Sequence, residues 1–309
     1  MYYVDLAVIG VSFGCMYAMM AVGLTLVYGL LRILHVAHAA VFALGAYVTV
    51  VVANATASIG LGFLAAVLVT SLYGMAIYRL LYQPLLAYRP DVPMIASVGL
   101  LVLMQDLFRI AFGEQGLTFR HSTYALMTFD VFGVTVTAVE IAIVACALVV
   151  FLGLHLFTTR TRVGVGWRAT VSNPRMAASF GIDAVKVRYL NFAIGSALAA
   201  VAGGLVGLLN NLVDPVIGYV VSYKALAIIV LGGLGSVRGT LIASLVLGLV
   251  ESYGTIFFGQ WLDRDAIAFL ALIALLLIRP QGFAGATARA PIRSAWRRRS
   301  ASTPSSPSA

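Results

Sequence analysis

Charge is what this 309-residue chain lacks: Asp, Glu, Lys and Arg together make up 10% of it, against 61% hydrophobic residues and a mean hydropathy of +1.01. So few charged side chains cannot coat a globule of this length, which excludes a soluble domain. The apolar residues run continuously instead of alternating with polar ones, which excludes a transmembrane β-barrel. Several windows of about 18 residues carry almost no charge, the length a helix needs to cross a hydrocarbon core. The fold class that follows is an all-α integral membrane protein, a polytopic helical bundle.

Further absences narrow the chemistry. The only two lysines, Lys186 and Lys224, follow Val185 and Tyr223, and no Gly-x-x-x-x-Gly-Lys-Ser/Thr run exists to cradle nucleotide phosphates. Gly-x-Ser-x-Gly and His-Glu-x-x-His are absent too, so no catalytic residue and no cofactor is expected in this chain, and movement of a solute is the better assignment. His35 and His38 are three apart, as two metal ligands on one helix face would be, but His121 and His155 fall in other connections. No metal site is expected, and the pair is read as structural or path-lining. Cys15 and Cys146 lie in apolar stretches as small hydrophobes and do not report a redox compartment. No basic residue precedes the first apolar run, so that run reads as a retained helix, not a cleaved leader.

Hydrophobicity and punctuation place nine segments near Leu6 to Leu31, Ala39 to Ala53, Leu61 to Leu81, Pro93 to Phe112, Thr137 to Phe157, Tyr189 to Leu209, Ala225 to Leu234, Thr240 to Tyr253 and Ala266 to Ile278. The Ala39 and Ala225 segments are short for a full crossing. The second ends in Gly232-Gly233-Leu234-Gly235-Ser236, the kind of break found where backbone lines a cavity or packs inside protein. Eight to nine membrane segments are therefore expected. One membrane domain is placed at 1–282, with a segment outside the membrane at 158–188 inside it.

Lys and Arg mark the cytoplasmic side. Arg79 and Arg89 lie in one connection; Arg160, Arg162, Arg168, Arg175, Lys186 and Arg188 lie between Thr158 and Arg188 against one acid, Asp183. Arg279, Arg289, Arg293, Arg297, Arg298 and Arg299 follow the last span, whereas the opposite connections are acidic or neutral on balance, with Asp5, Glu114 and Asp130 beside Arg120, Asp214, and Asp263 and Asp265 flanking Arg264. The N-terminus is expected outside and the C-terminus in the cytoplasm. The formal net charge of +9 is thus mostly topology, facing anionic lipid and not nucleic acid. The Ser/Pro-rich end of the 283–309 tail has no apolar pattern and is expected to be disordered.

Small residues recur every four positions in the sixth span, at Gly195, Ala199, Gly203 and Gly207, and in the first at Gly10, Gly14 and Ala18. Such stripes let helix backbones approach closely. Between the fifth and sixth spans, Asn173 suits an N-cap, Pro174 the first helical position and Gly181 the left-handed stop, predicting a helix of under two turns. A helix that short is unstable in water and must pack on its own bundle or on a partner. Asp106 and Arg109 are spaced to pair locally, and Glu140 and Glu251 lie in or at the ends of spans, where carboxylates are functional candidates.

Several separate motifs carry a resemblance: Gly23-Leu-Thr-Leu-Val-Tyr-Gly29, Ala37-His38, Gly45-Ala46-Tyr47, Val213-Asp214-Pro215 with Gly218, Lys224-Ala225, Leu231-Gly232-Gly233-Leu234-Gly235-Ser236 with Gly239, and Asp265-Ala266-Ile267 leading to Arg279-Pro280-Gln281-Gly282. From about Leu6 to Gly282 the chain resembles permease subunits of branched-chain amino acid ABC importers, of the shorter LivH type and with a type II importer-like fold. The resemblance implies a second, LivM-type permease subunit, two cytoplasmic ATPases that bind ATP-Mg, an external solute-binding protein, and a bacterial inner membrane. It also implies that the short helix docks on an ATPase, with Arg168, Ala169, Asn173, Pro174, Arg175, Ala177 and Gly181 in that coupling role. A path near the Gly232, Gly233 and Gly235 break, with His38 and Gly45, would open by alternating access. The chain departs from the family pattern at Ala39-Ala40, where Gly-Glu is usual, and at Asp106, where Asn is common. Urea and short amides are the alternative solutes within the family. An ion-coupled carrier using Glu140, Glu251 and Asp106 is the alternative outside it.

Overall fold

The computed structural model describes residues 2–120, 127–131, 134–278 and 282. The tail at 283–309, Arg279 to Gln281 and His121 lie outside these residues. In chain order the elements are α1 (Tyr2–Leu31), α2 (His38–Thr56), α3 (Ile59–Ile77), a π-turn (Tyr78–Tyr82) running into α4 (Gln83–Leu85), and α5 (Asp91–Phe112). A hairpin of β1 (Thr128–Val131) and β2 (Val134–Thr137) leads to α6 (Ala138–Arg160), α7 (Arg162–Ser172) and α8 (Pro174–Ser179). Four helices complete the bundle: α9 (Ala184–Asn210), α10 (Ile217–Gly232), α11 (Val237–Phe258) and α12 (Arg264–Ile278).

Seven helices among the described residues are long and apolar enough to cross a membrane; α10 is a shorter apolar helix. The protein is a multi-pass membrane protein. Two short segments are longer than the sequence implies. The α2 helix covers 19 residues, running past Asn54 to Thr56, where Ala57 takes the left-handed conformation. The α10 helix covers 16, beginning well ahead of Lys224, a residue that reads as a boundary only while its buried partners are unknown. The hairpin, paired antiparallel with Thr128 opposite Thr137, and α7 are additions to the nine apolar segments.

Helices α1 and α9 form the centre, while α3, α5 and α6 turn apolar side chains such as Leu68, Leu72, Ile95, Leu103, Leu148 and Val149 outward. The small-residue stripes account for the closest approaches. A Cβ on Gly203 would lie 2.2 Å from the Phe42 carbonyl oxygen of α2, and one on Gly195 3.0 Å from Gly23 O of α1. Ala199 is wholly buried, and a Cβ on Gly207 would meet Val213 Cγ2 at 2.6 Å. The stripe of α1 meets α11, where a Cβ on Gly248 would lie 2.4 Å from Gly10 O. Gly203→Ala is therefore expected to lower stability by about 1–3 kcal/mol. Gly99→Ala, where a Cβ meets nothing within 4 Å, should not lower it. Thermal unfolding in detergent compares the two.

Chain direction places the N-terminus of α1, the hairpin, and the connections α9–α10 and α11–α12 at one end of the bundle. The other end collects Arg32, Arg79, Arg160, Arg162, Arg168, Arg175, Lys186 and Arg238, beside α7 and α8.

Candidate translocation and coupling sites

At the basic end, α7 and α8 stand outside the helices that cross. Thr161 caps α7, its Oγ1 accepting from Gly164 N at 2.9 Å, and Asn173 caps α8, its Oδ1 accepting from Met176 N at 3.1 Å. The far end of α8 closes as a Schellman motif, with Ile182 N donating to Ala177 O at 3.1 Å and Gly181 N to Ala178 O at 2.9 Å. Gly181 has φ +79°, so the stop needs a glycine. Ala177 faces inward and is buried, whereas Met176 is 58% and Phe180 80% exposed. Two large apolar side chains thus stand free on a helix too short to persist unaided.

This element is tied to the bundle core by one buried amide. Trp167 Nε1 of α7 donates to Asn191 Oδ1 of α9 at 2.9 Å, and Asn191 Nδ2 donates to Leu26 O of α1 at 2.9 Å. Asn191 thus links α7 to both central helices. Arg168 and Ala169 sit on α7 one turn ahead of α8; Arg168 lines a cavity of about 300 Å³ with Trp167, His155 and Arg238. Asn173, Pro174, Arg175, Ala177 and Gly181 belong to α8 and its caps. The structure brings together every residue expected to couple.

The residues read as path-lining separate into two roles. Gly45 and Gly232 are packing positions: a Cβ on Gly45 would lie 2.3 Å from Ala200 Cα, and one on Gly232 2.5 Å from Thr240 N. Gly233 and Gly235, with φ of +94° and +84°, make the α10–α11 turn, which Ser236 closes by accepting from Gly239 N at 3.2 Å. His38 is fully buried at the start of α2, its ring 5.7 Å from that of His35. His35 Nδ1 lies 2.6 Å from Tyr82 Oη on the π-turn, and Phe192 packs against both rings.

A cavity of about 340 Å³ lies at the opposite end, bounded by α1, α9, α10, α11 and α12. Its wall holds a charged cluster that the sequence leaves scattered. Lys224 of α10 is 3% exposed; its Nζ donates to Tyr17 Oη at 3.0 Å and Glu251 Oε1 at 3.1 Å and meets Asp265 Oδ1 at 2.7 Å. Glu251 of α11 is fully buried, and its Oε2 accepts from Tyr17 at 2.8 Å. Arg264 Nε lies 2.9 Å from Glu251 Oε1, out of line for a hydrogen bond, so their attraction is Coulombic. The guanidinium rests 3.5 Å over the Phe13 ring. Low local polarity makes such pairs strong and makes a lost partner costly.

The other acids have different work. Glu140 completes a capping box on α6: Oε2 accepts from Thr137 N at 2.8 Å while Thr137 Oγ1 accepts from Glu140 N at 3.2 Å. Asp106 and Arg109 pair at 3.4 Å as expected, in the open. Sequence reasoning missed Tyr17, Lys224 and Arg264. The available signal was that Lys224 and Glu251 each carry charge into an apolar helix, which demands a partner.

A membrane bundle with two apolar side chains exposed on a capped helix at its basic end and a charged cavity at the other has the parts that a solute path with a docking element needs. The family model described as "Branched-chain amino acid transport system / permease component" matches residues 6–278. The chain belongs to this permease family. It is 32% identical over 296 residues to the high-affinity branched-chain amino acid transport system permease protein BraD of Pseudomonas aeruginosa, covering 92% of this chain and 96% of that one. To LivH of Escherichia coli K12, named in the same words, identity is 30% over 288 residues, covering 89% and 93%. The LivM permease of the same organism is 25% identical over 292 residues and is matched over 67% of its length. Identity and coverage are thus higher toward the LivH permease than toward LivM, in agreement with the shorter, LivH-type resemblance. No solved structure matches the chain.

Proposed function

We propose that this chain is the LivH-type permease subunit of an ATP-driven importer of branched-chain amino acids in a bacterial inner membrane. Its basic end and C-terminus face the cytoplasm, and its N-terminus and charged cavity face outward. It works with a LivM-type permease, two cytoplasmic ATPases that bind ATP-Mg and an external solute-binding protein, and contributes no catalytic residue of its own. The single observation that carries this reading is α8, capped at both ends at the basic end of the bundle and leaving Met176 and Phe180 exposed. An ATPase that moves α8 pulls α9 and α1 through Trp167 and Asn191, and the bundle rocks between two arrangements. An ion-coupled carrier would need titrating acids free to change partners, whereas Glu140 caps a helix and Glu251 is held by three groups.

Affinity purification of the tagged chain in mild detergent tests the assembly. Stoichiometric recovery of a second permease and an ATPase, with ATP-dependent leucine uptake by liposomes holding the whole assembly, is the expected result. A chain that purifies alone and takes up leucine in response to a proton gradient would overturn the reading.

A further inference from the structure

The charges around the outer cavity are unequally committed. Lys224 is committed within the cluster: its Nζ donates to Tyr17 and Glu251 and is ion-paired with Asp265. Arg264 is different. It is ion-paired with Glu251 without a hydrogen bond and one face of its guanidinium is covered by Phe13, and its two terminal nitrogens have no hydrogen-bond partner among the described residues. A planar fork held in place with free donors is the geometry that grips a carboxylate bidentately. Across the wall, Asp214 uses Oδ1 to accept from Val216 N at 3.1 Å, leaving Oδ2 free among the described residues, and half-exposed Asp265 gives one oxygen to Lys224. Three carboxylates thus face two cations, one unit of negative charge in excess. The rest of the lining includes Met16, Val220 and Val221, and about 340 Å³ is at the small end of ligand cavities.

We infer that this cavity is a binding subsite for a free zwitterionic α-amino acid, with Arg264 taking its carboxylate, Asp214 and Asp265 its ammonium, and the apolar wall its side chain. The inference rests on the importer reading and names where the membrane subunit itself recognises the solute. A zwitterion satisfies both signs at once and leaves the balance of the cluster unchanged. Urea or a neutral amide leaves the guanidinium and the carboxylates without counter-charges, so the subsite discriminates against it.

The test uses the assembled membrane complex without its solute-binding protein and measures binding of radiolabelled leucine by scintillation proximity, with ATP-driven leucine uptake by the complete system as a control. Saturable binding is expected, displaced by leucine but not by isocaproate, which lacks the ammonium, by isopentylamine, which lacks the carboxylate, or by urea. Arg264→Gln and Asp214→Asn should each weaken it about tenfold or more. Asp214 lies outside the Lys224 cluster, so Asp214→Asn decides the matter should Arg264→Gln fail to fold. Active uptake with no saturable binding, or with binding unchanged in Asp214→Asn, overturns the subsite and leaves the importer intact. Absence of leucine uptake by the wild-type system overturns the importer reading and the subsite with it.

Discussion

Glu251→Leu is expected to destabilise the protein by about 3–5 kcal/mol, the cost of leaving a buried charge without its counter-ion. The carboxylate is fully buried and bridges Tyr17, Lys224 and Arg264, so its removal leaves a 3% exposed ammonium with Asp265 as its one acidic partner. The loss should appear as a lower unfolding temperature in detergent and a smaller monodisperse fraction on size exclusion. Lys224→Met combined with Glu251→Leu should recover part of the loss, because removing both members of a buried pair is far cheaper than removing one. A Glu251→Leu variant as stable as wild type would show that the pairing of α10 with α11 is not what holds this end together.

Phe180→Asp and Gly181→Val are expected to reduce ATP-driven uptake at least about tenfold while leaving membrane insertion intact. Phe180 contributes nothing to the core, being 80% exposed, so a charge there harms only what docks against it. Gly181 has φ +79°, and a Cβ at this position would meet nothing within 4 Å, so the penalty of a valine is backbone strain of about 1–2 kcal/mol, which unwinds the end of α8. Gly153→Ala, on α6 with equally open surroundings and no left-handed φ, is the silent control. Comparing uptake with recovery of the ATPase in the purified assembly checks the claim. Both variants transporting normally at normal expression would place the docking element elsewhere on the basic end.

Local features were legible from the chain. Asn173, Pro174 and Gly181 predict α8 to within a residue at each end because caps and stops depend on φ, ψ and side chains a few positions apart. The spacing of Gly195, Ala199, Gly203 and Gly207 predicts a close helix contact for the same reason, although the partner helices α1 and α2 are not implied by it. Gly45 reads as part of a path but proves to be a packing position, because a glycine suits either role and only the neighbouring Ala200 distinguishes them. Glu140 shows the converse: a carboxylate at a span end reads as chemistry, and the capping box assigns it to local structure. The α7 helix is too polar to read as a span, although its eleven residues are amphipathic.

By itself the sequence determined the solvent, the order of the membrane segments, the family and the short capped helix between the fifth and sixth spans. Each depends on hydropathy summed over about 20 residues or on contacts within a turn. Only the tertiary structure decided which helices touch and which charges share a wall. Lys224, Glu251, Arg264 and Tyr17 come from four helices, with Tyr17 and Lys224 separated by 207 positions. Their attraction falls with distance in space and is indifferent to distance along the chain, so no spacing rule could have announced the cluster that Arg264 and Asp214 turn toward the cavity.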